Sequence, residues 1–361
     1  MLARFLKTNW KIILGVATSA CCLYWFIGMC DFLKMWEALG RTNYWFVLLT
    51  LVSIFTCYFA RAVRWTFLLK PVKRVQLGPS FSATIIGFTA SNILPMRAGE
   101  FVRAYVLGKN ENVKATSVFA TIVIERLCDG FCVLAILVFA LLIVPIAPLT
   151  DIANLSEPMQ KIVTIITREK LCWFGYSTLG LYLGIIAVLT MLRLAPEMTE
   201  RLITKLLFFA PSKIVHKVTD TFRSFSDGIS SLNTVWQAAN VALWSLVTWG
   251  AIAVGPWLLS LAFGLRMPIS MGLFVTAVLA FGVMLPSSPG FIGIFQLSTA
   301  AAMVMLGVSE HIAATYALML WALSIIPVTI LGFIFCWMGK TSFAQIIRAT
   351  KQEKLASEGE P

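Results

Sequence analysis

Two interrupted apolar stretches constrain this chain more than any other feature: Asn92-Ile93-Leu94-Pro95-Met96-Arg97-Ala98-Gly99-Glu100 and Met284-Leu285-Pro286-Ser287-Ser288-Pro289-Gly290-Phe291-Ile292-Gly293. Each carries Leu-Pro with a glycine four residues after the proline, and the two lie in different halves of the chain. Proline removes a helix donor and glycine accepts turn geometry, so an apolar helix stops there. At membrane depth, backbone freed in this way must be packed in protein or line a wet cavity. Breaks at corresponding places in two halves point to a midplane substrate site in a transporter. The two turns are therefore expected to meet inside the bundle.

The composition places the chain in a membrane. Of its 361 residues 59% are hydrophobic and 13% charged, and the mean hydropathy is +0.84, well beyond the needs of a soluble core. Apolar runs of about twenty residues, enough to cross a bilayer as helix, occur at 12–28, 44–60, 127–148, 171–192, 238–263 and 312–338. The expected fold is an all-α polytopic membrane protein of about six full spans plus two inverted re-entrant helical hairpins. The alternative, with each break a kink between ordinary spans, has eight or more crossings.

Orientation follows from Lys and Arg, which accumulate in cytoplasmic connections. The amino terminus, the 61–78 connection, the 193–237 connection and the carboxyl tail together hold eighteen; the 29–43, 149–170 and 264–267 connections hold six. Both termini are thus expected in the cytoplasm. For the alternation to hold, 80–114 enters and leaves on the cytoplasmic side and 268–307 on the outer side. Each half of these segments has roughly 13 to 15 residues, about 20 Å of helix, too short to span alone. Residues 193–237 alternate apolar clusters with Lys and Arg and read as a cytoplasmic amphipathic connection; 341–361 reads as a polar cytoplasmic tail. The amino-terminal apolar run lacks a small-residue cleavage site and reads as an uncleaved signal anchor.

Several function classes fall away. The net charge of +12 is accounted for by positive-inside topology, so no nucleic-acid partner is expected. The eight cysteines form no CxxC pair and the two histidines, His216 and His311, stand far apart; no metal site is legible. There is no GxxxxGK[ST] loop, and no cofactor is expected.

Ionisable residues near apolar segments usually line a substrate or ion path. Arg97, Glu100 and Arg103 follow the first break, and Glu125, Arg126 and Asp129 open the next span. Spacings of three and four put Glu100 with Arg103, and Glu125 with Asp129, on shared helix faces. The two sets are placed to pair across the bundle, leaving guanidinium donors for an anion such as a lipid phosphate. The bland alternative makes these arginines interfacial salt bridges. Arg61 and Arg64 read as positive-inside anchors. At the second break Pro289 and Gly290 precede an expected helix over 291–306 whose first N–H groups would seat an anion, with Ser287 and Ser288 adding hydroxyls.

Arg61-Ala62-Val63-Arg64-Trp65, Asn92-x-Leu94-Pro95-x-Arg97-x-Gly99-Glu100-x-x-Arg103-Ala104-Tyr105, Glu125-Arg126-x-x-Asp129 and Leu285-Pro286-x-x-Pro289-Gly290-x-Ile292-Gly293, in that order, resemble the lysylphosphatidylglycerol synthase transmembrane family, also called the flippase-like domain family. The resemblance covers nearly the whole chain. It implies one flippase-like domain over 1–340, of a kind that in the synthases moves aminoacylated lipid to the outer leaflet. By matching positions it makes Arg97, Gly99, Glu100, Arg103, Glu125, Arg126, Asp129, Pro289 and Gly290 substrate-binding candidates. The family commonly has Gly-Gly and an acid at the second motif, whereas this chain has Gly290-Phe291 and Gln296. That departure weakens the case for a cationic aminoacyl headgroup. A soluble aminoacyltransferase domain does not follow the membrane region, so a stand-alone member is expected, unable to transfer an amino acid by itself.

The preferred reading is a lipid flippase for an anionic phospholipid or lipid-linked precursor, with no catalytic residue. The partners then expected are the bilayer, a lipid with a phosphate headgroup, and either a second copy or a glycosyltransferase or synthase. A membrane-embedded lipid-modifying enzyme, using Glu100, Glu125 or Asp129 as general base, is the alternative. An accessory scaffold for a lipid-linked glycosyltransferase is the third.

Overall fold

In a computed structural model the described residues are 17–28, 30–94, 98–143, 155–157, 159–161, 169–170, 173, 175–180, 183–184, 234–284 and 288–339. Among them the chain is helical and forms no strand. The helices are α1 (Ala17–Gly28), α2 (Phe32–Gly40), α3 (Tyr44–Leu69), α4 (Leu77–Ile93), α5 (Gly99–Glu111), α6 (Ala115–Ile143), α7 (Val235–Ala262), α8 (Ser270–Gly282), α9 (Ile294–Met305) and α10 (Glu310–Met338). Helices α3, α7 and α10 are long and apolar enough to cross a membrane. The protein is an all-α polytopic membrane protein.

The order long, short, break, short, long occurs twice, as α3 to α6 and as α7 to α10. Helix α4 has 17 residues, α5 and α8 have 13 and α9 has 12, or about 18–26 Å each, short of a full crossing. Both short pairs fold back on themselves with a glycine at the point of close approach. A Cβ on Gly99 would overlap the Gly87 carbonyl, and one on Gly282 would overlap the Ser298 hydroxyl. The second arm of each pair ends in a left-handed residue, Asn112 at φ 53 and Gly307 at φ 85, which lets the chain turn into the next long helix.

The leading helices of the two units run antiparallel. Asn43 N–H donates to Ala262 O at 2.8 Å, Ser53 Oγ to Ala251 O at 2.7 Å and Arg64 Nη1 to Ser245 Oγ at 2.9 Å, so α3 descends as α7 rises. The units also exchange neighbours in matching fashion: α4 packs on α10 and α8 packs on α6. The apolar core has two clusters, and each takes in residues of both units: one gathers Trp65, Leu68, Val102, Leu107 and Ile122 with Val241 and Cys336, the other Phe274, Val275, Ala301, Met303 and Tyr316 with Val47, Leu137 and Ala140.

Local chemistry sets the element ends. Asn43 Oδ1 accepts from Trp45 N–H at 3.0 Å and starts α3; Thr234 Oγ1 accepts from Gln237 N–H at 3.3 Å and starts α7, a standard use of Asn and Thr at helix starts. Pro256 lies inside α7 and cannot donate to Ile252 O. The hydroxyl of Thr276, on α8, donates to that carbonyl at 3.2 Å instead, as an apolar surround demands.

Three boundaries differ from expectation. Helix α3 continues to Leu69, so Arg61 and Arg64 belong to it and not to the 61–78 connection. Helix α6 begins at Ala115, which puts Glu125, Arg126 and Asp129 well inside it, about three turns from its start. Helix α7 begins at Val235, inside the interval assigned to the amphipathic connection. The rest of that connection, the tail over 341–361, most of the 171–192 run, and Arg97 and Ser287 lie outside the described residues.

Candidate functional site

The charged residues of the first unit converge on two carboxylates. Helix α3 supplies Arg61 and Arg64, α5 supplies Glu100 and Arg103, and α6 supplies Glu125, Arg126 and Asp129. Glu125 Oε1 accepts from Arg64 Nη2 at 3.0 Å and from Arg126 Nη2 at 3.2 Å, while Oε2 lies 2.9 Å from Arg103 Nη1. Asp129 Oδ1 lies 2.8 Å from Arg64 Nη1, and Oδ2 accepts from Arg61 Nη1 at 3.0 Å and lies 3.3 Å from Arg126 Nη1. The second unit reaches in from α7, where Trp249 Nε1 donates to Asp129 Oδ1 at 3.0 Å.

Arg61, Arg64, Arg103, Glu125 and Asp129 are all buried. Ions taken so far from water hold only when each is paired, and the guanidinium fork allows one arginine to serve two carboxylates. Aromatic faces complete the lining. The Arg103 Cζ sits 3.7 Å from the centroid of the Trp65 ring, and Arg61 lies over Phe88 and Trp249 at 5.3 and 5.9 Å. Trp65 is itself fixed by donating to Thr121 Oγ1 at 2.9 Å.

Hydrogen bonding in the cluster is incomplete, chiefly at the guanidiniums, with Glu125 Oε2 held by its ion pair to Arg103 alone. Arg103 Nε and Nη2 are buried without a hydrogen-bond partner, although its side chain is only 3% exposed. Four guanidiniums face three carboxylates, counting Glu100, whose Oε1 lies 3.4 Å from Arg126 Nε. Among the described residues, one positive charge is in excess. Arg126 and Glu100 form the rim, their side chains 35% and 34% exposed.

The described flanks of the two breaks lie side by side: a Cβ on Gly290 would stand 3.6 Å from Asn92 O. Trp321 Nε1 holds the Gly290 carbonyl at 2.8 Å, and Asn92 Nδ2 donates to Thr329 Oγ1 at 3.1 Å. The expected seat of free N–H groups at the second break is largely taken. Helix α9 starts at Ile294 instead of Phe291, because Pro289–Phe291 forms a 3-10 turn and Gly293 needs φ 86. Ser288 N–H donates to Ser19 Oγ at 2.7 Å, Phe291 N–H to Ser288 O at 3.1 Å and Gly293 N–H to Gln296 Oε1 at 2.8 Å. A Cβ on Gly293 would meet Ser19 O at 2.6 Å, so α1 covers this helix start.

The placement of the expected residues is therefore uneven. Glu100, Arg103, Glu125, Arg126 and Asp129 come together; Gly99 lets α5 lie against α4; Ser288, Pro289 and Gly290 shape the second turn. Arg61, Arg64, Ser245 and Trp249 complete the cluster and were not expected there. Arg61 and Arg64 are three apart and match the four-residue spacing of Glu125 and Asp129, a signal of facing helices. The apolar sequence around Ser245 and Trp249 holds none. No group of three or more His, Cys, Asp or Glu able to hold a metal occurs among the described residues.

The sequence matches the lysylphosphatidylglycerol synthase transmembrane region over residues 12–332. The chain belongs to that family. This member of the lysylphosphatidylglycerol synthase transmembrane family is 26% identical to a UPF0104 membrane protein of Methanothermobacter thermautotrophicus over 283 residues, 78% of this chain and 80% of that one. A UPF0104 membrane protein of Pyrococcus horikoshii is 24% identical over 340 residues, 91% of this chain and 96% of its own length. The glycosyltransferase AglD of Haloferax volcanii is 24% identical over 271 residues, which cover 72% of this chain and 43% of AglD. No solved structure matches this family member. Within the family pattern, Phe291 stands where a second glycine is common and has φ 54, a left-handed conformation that favours glycine. Gln296 stands where an acid is common, and its Oε1 performs the helix-start contact that a carboxylate oxygen would make.

Proposed function

We propose that this protein is a lipid flippase that moves an anionic phospholipid or lipid-linked precursor between leaflets. The observation that carries the reading is the cluster's excess positive charge together with Arg103, which is buried, stacked on Trp65, and has Nε and Nη2 without hydrogen-bond partners. A phosphate is the natural complement, since its oxygens take paired, charge-assisted bonds from the planar fork. The lipid tails stay in the bilayer while the headgroup occupies the cluster.

The two short helix pairs act as re-entrant hairpins from opposite leaflets, an arrangement supported by the antiparallel α3 and α7. Rocking of one unit against the other exposes the site to each side in turn. The protein sits in the inner (plasma) membrane of a prokaryote, as the family resemblance implies, with both termini in the cytoplasm, a placement the Lys and Arg bias supports. Partners fall to the lipid itself, with self-association or a synthase as further options.

A second reading, an accessory unit for a glycosyltransferase, draws on the similarity to part of AglD. One assay separates the readings: purified protein is reconstituted in liposomes with labelled lipid and headgroup exposure is followed. Leaflet transfer without chemical change, lost in Arg103→Gln, is the expected result. Product formation would establish an enzyme instead, and neither transfer nor product would leave the accessory role.

A further inference from the structure

We infer that Glu100 is the specificity residue for headgroup charge, holding the site to lipids that carry one negative charge, a phosphodiester, in preference to doubly charged phosphomonoesters. The inference rests on the flippase reading and asks which phosphate that flippase accepts.

The argument begins with the three carboxylates, which are not equivalent. Glu125 and Asp129 are buried and each faces at least three guanidiniums within 4 Å. Their charge is spent within the protein. Among the described residues Glu100 has one ion-pair partner, Arg126, and it stands at the rim with about a third of its side chain exposed. Arg126 links the two layers, since it also touches Glu125 and Asp129. A headgroup approaching Arg103 therefore meets Glu100 as the carboxylate whose charge is least compensated.

The size of the charge follows from the same geometry. Arg61, Arg64, Arg103 and Arg126 against Glu100, Glu125 and Asp129 leave one positive charge among the described residues. A buried site is most stable when its occupant neutralises it, because uncompensated charge in a low-dielectric surround is costly. A phosphodiester brings one negative charge. A phosphomonoester brings about −1.5 to −2 near neutral pH and overshoots, with Glu100 as the repelling group. Removing the Glu100 charge raises the site by one unit and reverses the balance.

The test reconstitutes the full chain in vesicles and compares transfer of labelled phosphatidylglycerol, phosphatidic acid and phosphatidylcholine, which carry one, nearly two and no net negative charge. The wild-type protein is expected to favour the diester phosphatidylglycerol. Glu100→Gln should lower the ratio of phosphatidylglycerol to phosphatidic acid transfer roughly tenfold, the scale of one partly screened charge at a few ångströms. The double variant Glu100→Gln with Arg126→Gln restores the charge sum and should restore the ratio, which a packing effect would not do. An unchanged ratio in Glu100→Gln, or a ratio not restored in the double variant, overturns the inference while leaving the flippase reading standing. Absence of transfer of all three lipids by the wild-type protein removes that reading and the inference with it.

Discussion

Arg103 lies across the face of Trp65, its Cζ 3.7 Å from the ring centroid, while the indole N–H is anchored to Thr121. The platform is thus fixed before any ligand arrives. Arg103→Lys keeps the charge but loses the planar stack and the free N–H fork. Lipid transfer by this variant should fall roughly tenfold, with a stability loss of about 0.5–2 kcal/mol from the lost cation–π contact. Liposome transfer and thermal unfolding in detergent check both; full transfer by the lysine variant would show that charge alone suffices.

Glu125→Gln should be the most destabilising single change in the cluster. It leaves Arg103 without a buried counter-charge and Arg64 and Arg126 with Asp129 alone as theirs, at about 3–5 kcal/mol. Glu100→Gln, at the one-third exposed rim, should cost about 0–1 kcal/mol after solvent screening. Thermal unfolding of the two variants in one detergent tests the ranking, and equal losses would contradict the burial argument.

Gly293→Ala combines a disfavoured backbone conformation, φ 86, with a clash against Ser19 O at 2.6 Å. A loss of about 1–3 kcal/mol is expected. Ser19→Ala, which removes only the acceptor for Ser288 N–H, should lose about 0.5–1.5 kcal/mol. Melting temperatures of the two variants decide the point: an alanine at 293 without effect would mean that α1 does not cover the second turn.

Thr276→Val should cost about 1–3 kcal/mol by stranding the Ile252 carbonyl. In a Pro256→Ala background the helix regains its own donor to that carbonyl, and the valine should then cost less than half as much. A double-mutant cycle on unfolding free energy measures the coupling, and strictly additive losses would rule out the substitution of one donor for the other.

Much of this architecture is written locally. The Leu-Pro and glycine pattern marks both turns because proline and glycine act within a few residues, and the i,i+3 and i,i+4 spacings put Glu100 with Arg103 and Glu125 with Asp129 on shared faces. The individual pairs, Glu100 with Arg126 and Arg103 with Glu125, come only from the packing of α5 on α6. Arg61 and Arg64 escape that reading because a charge ends a hydropathy run, and only the bundle shows that α3 continues past them with their carboxylate partners on α6. Ser245 and Trp249 join from the other unit, across more than a hundred residues of chain, and no local rule reports such a contact. The blocked helix start at the second turn depends on the φ of Gly293 and on α1, both set by tertiary packing.

Every ion pair of the cluster joins α3, α5 and α6, whereas α7 contributes only the Ser245 hydroxyl and the Trp249 indole. Among the described residues the halves therefore meet at this level without an ion pair between them. Were the halves to move against each other as the flippase reading has it, the electrostatic knot would travel intact with the first half, and at its level only these two hydrogen bonds and one aromatic face would have to shift.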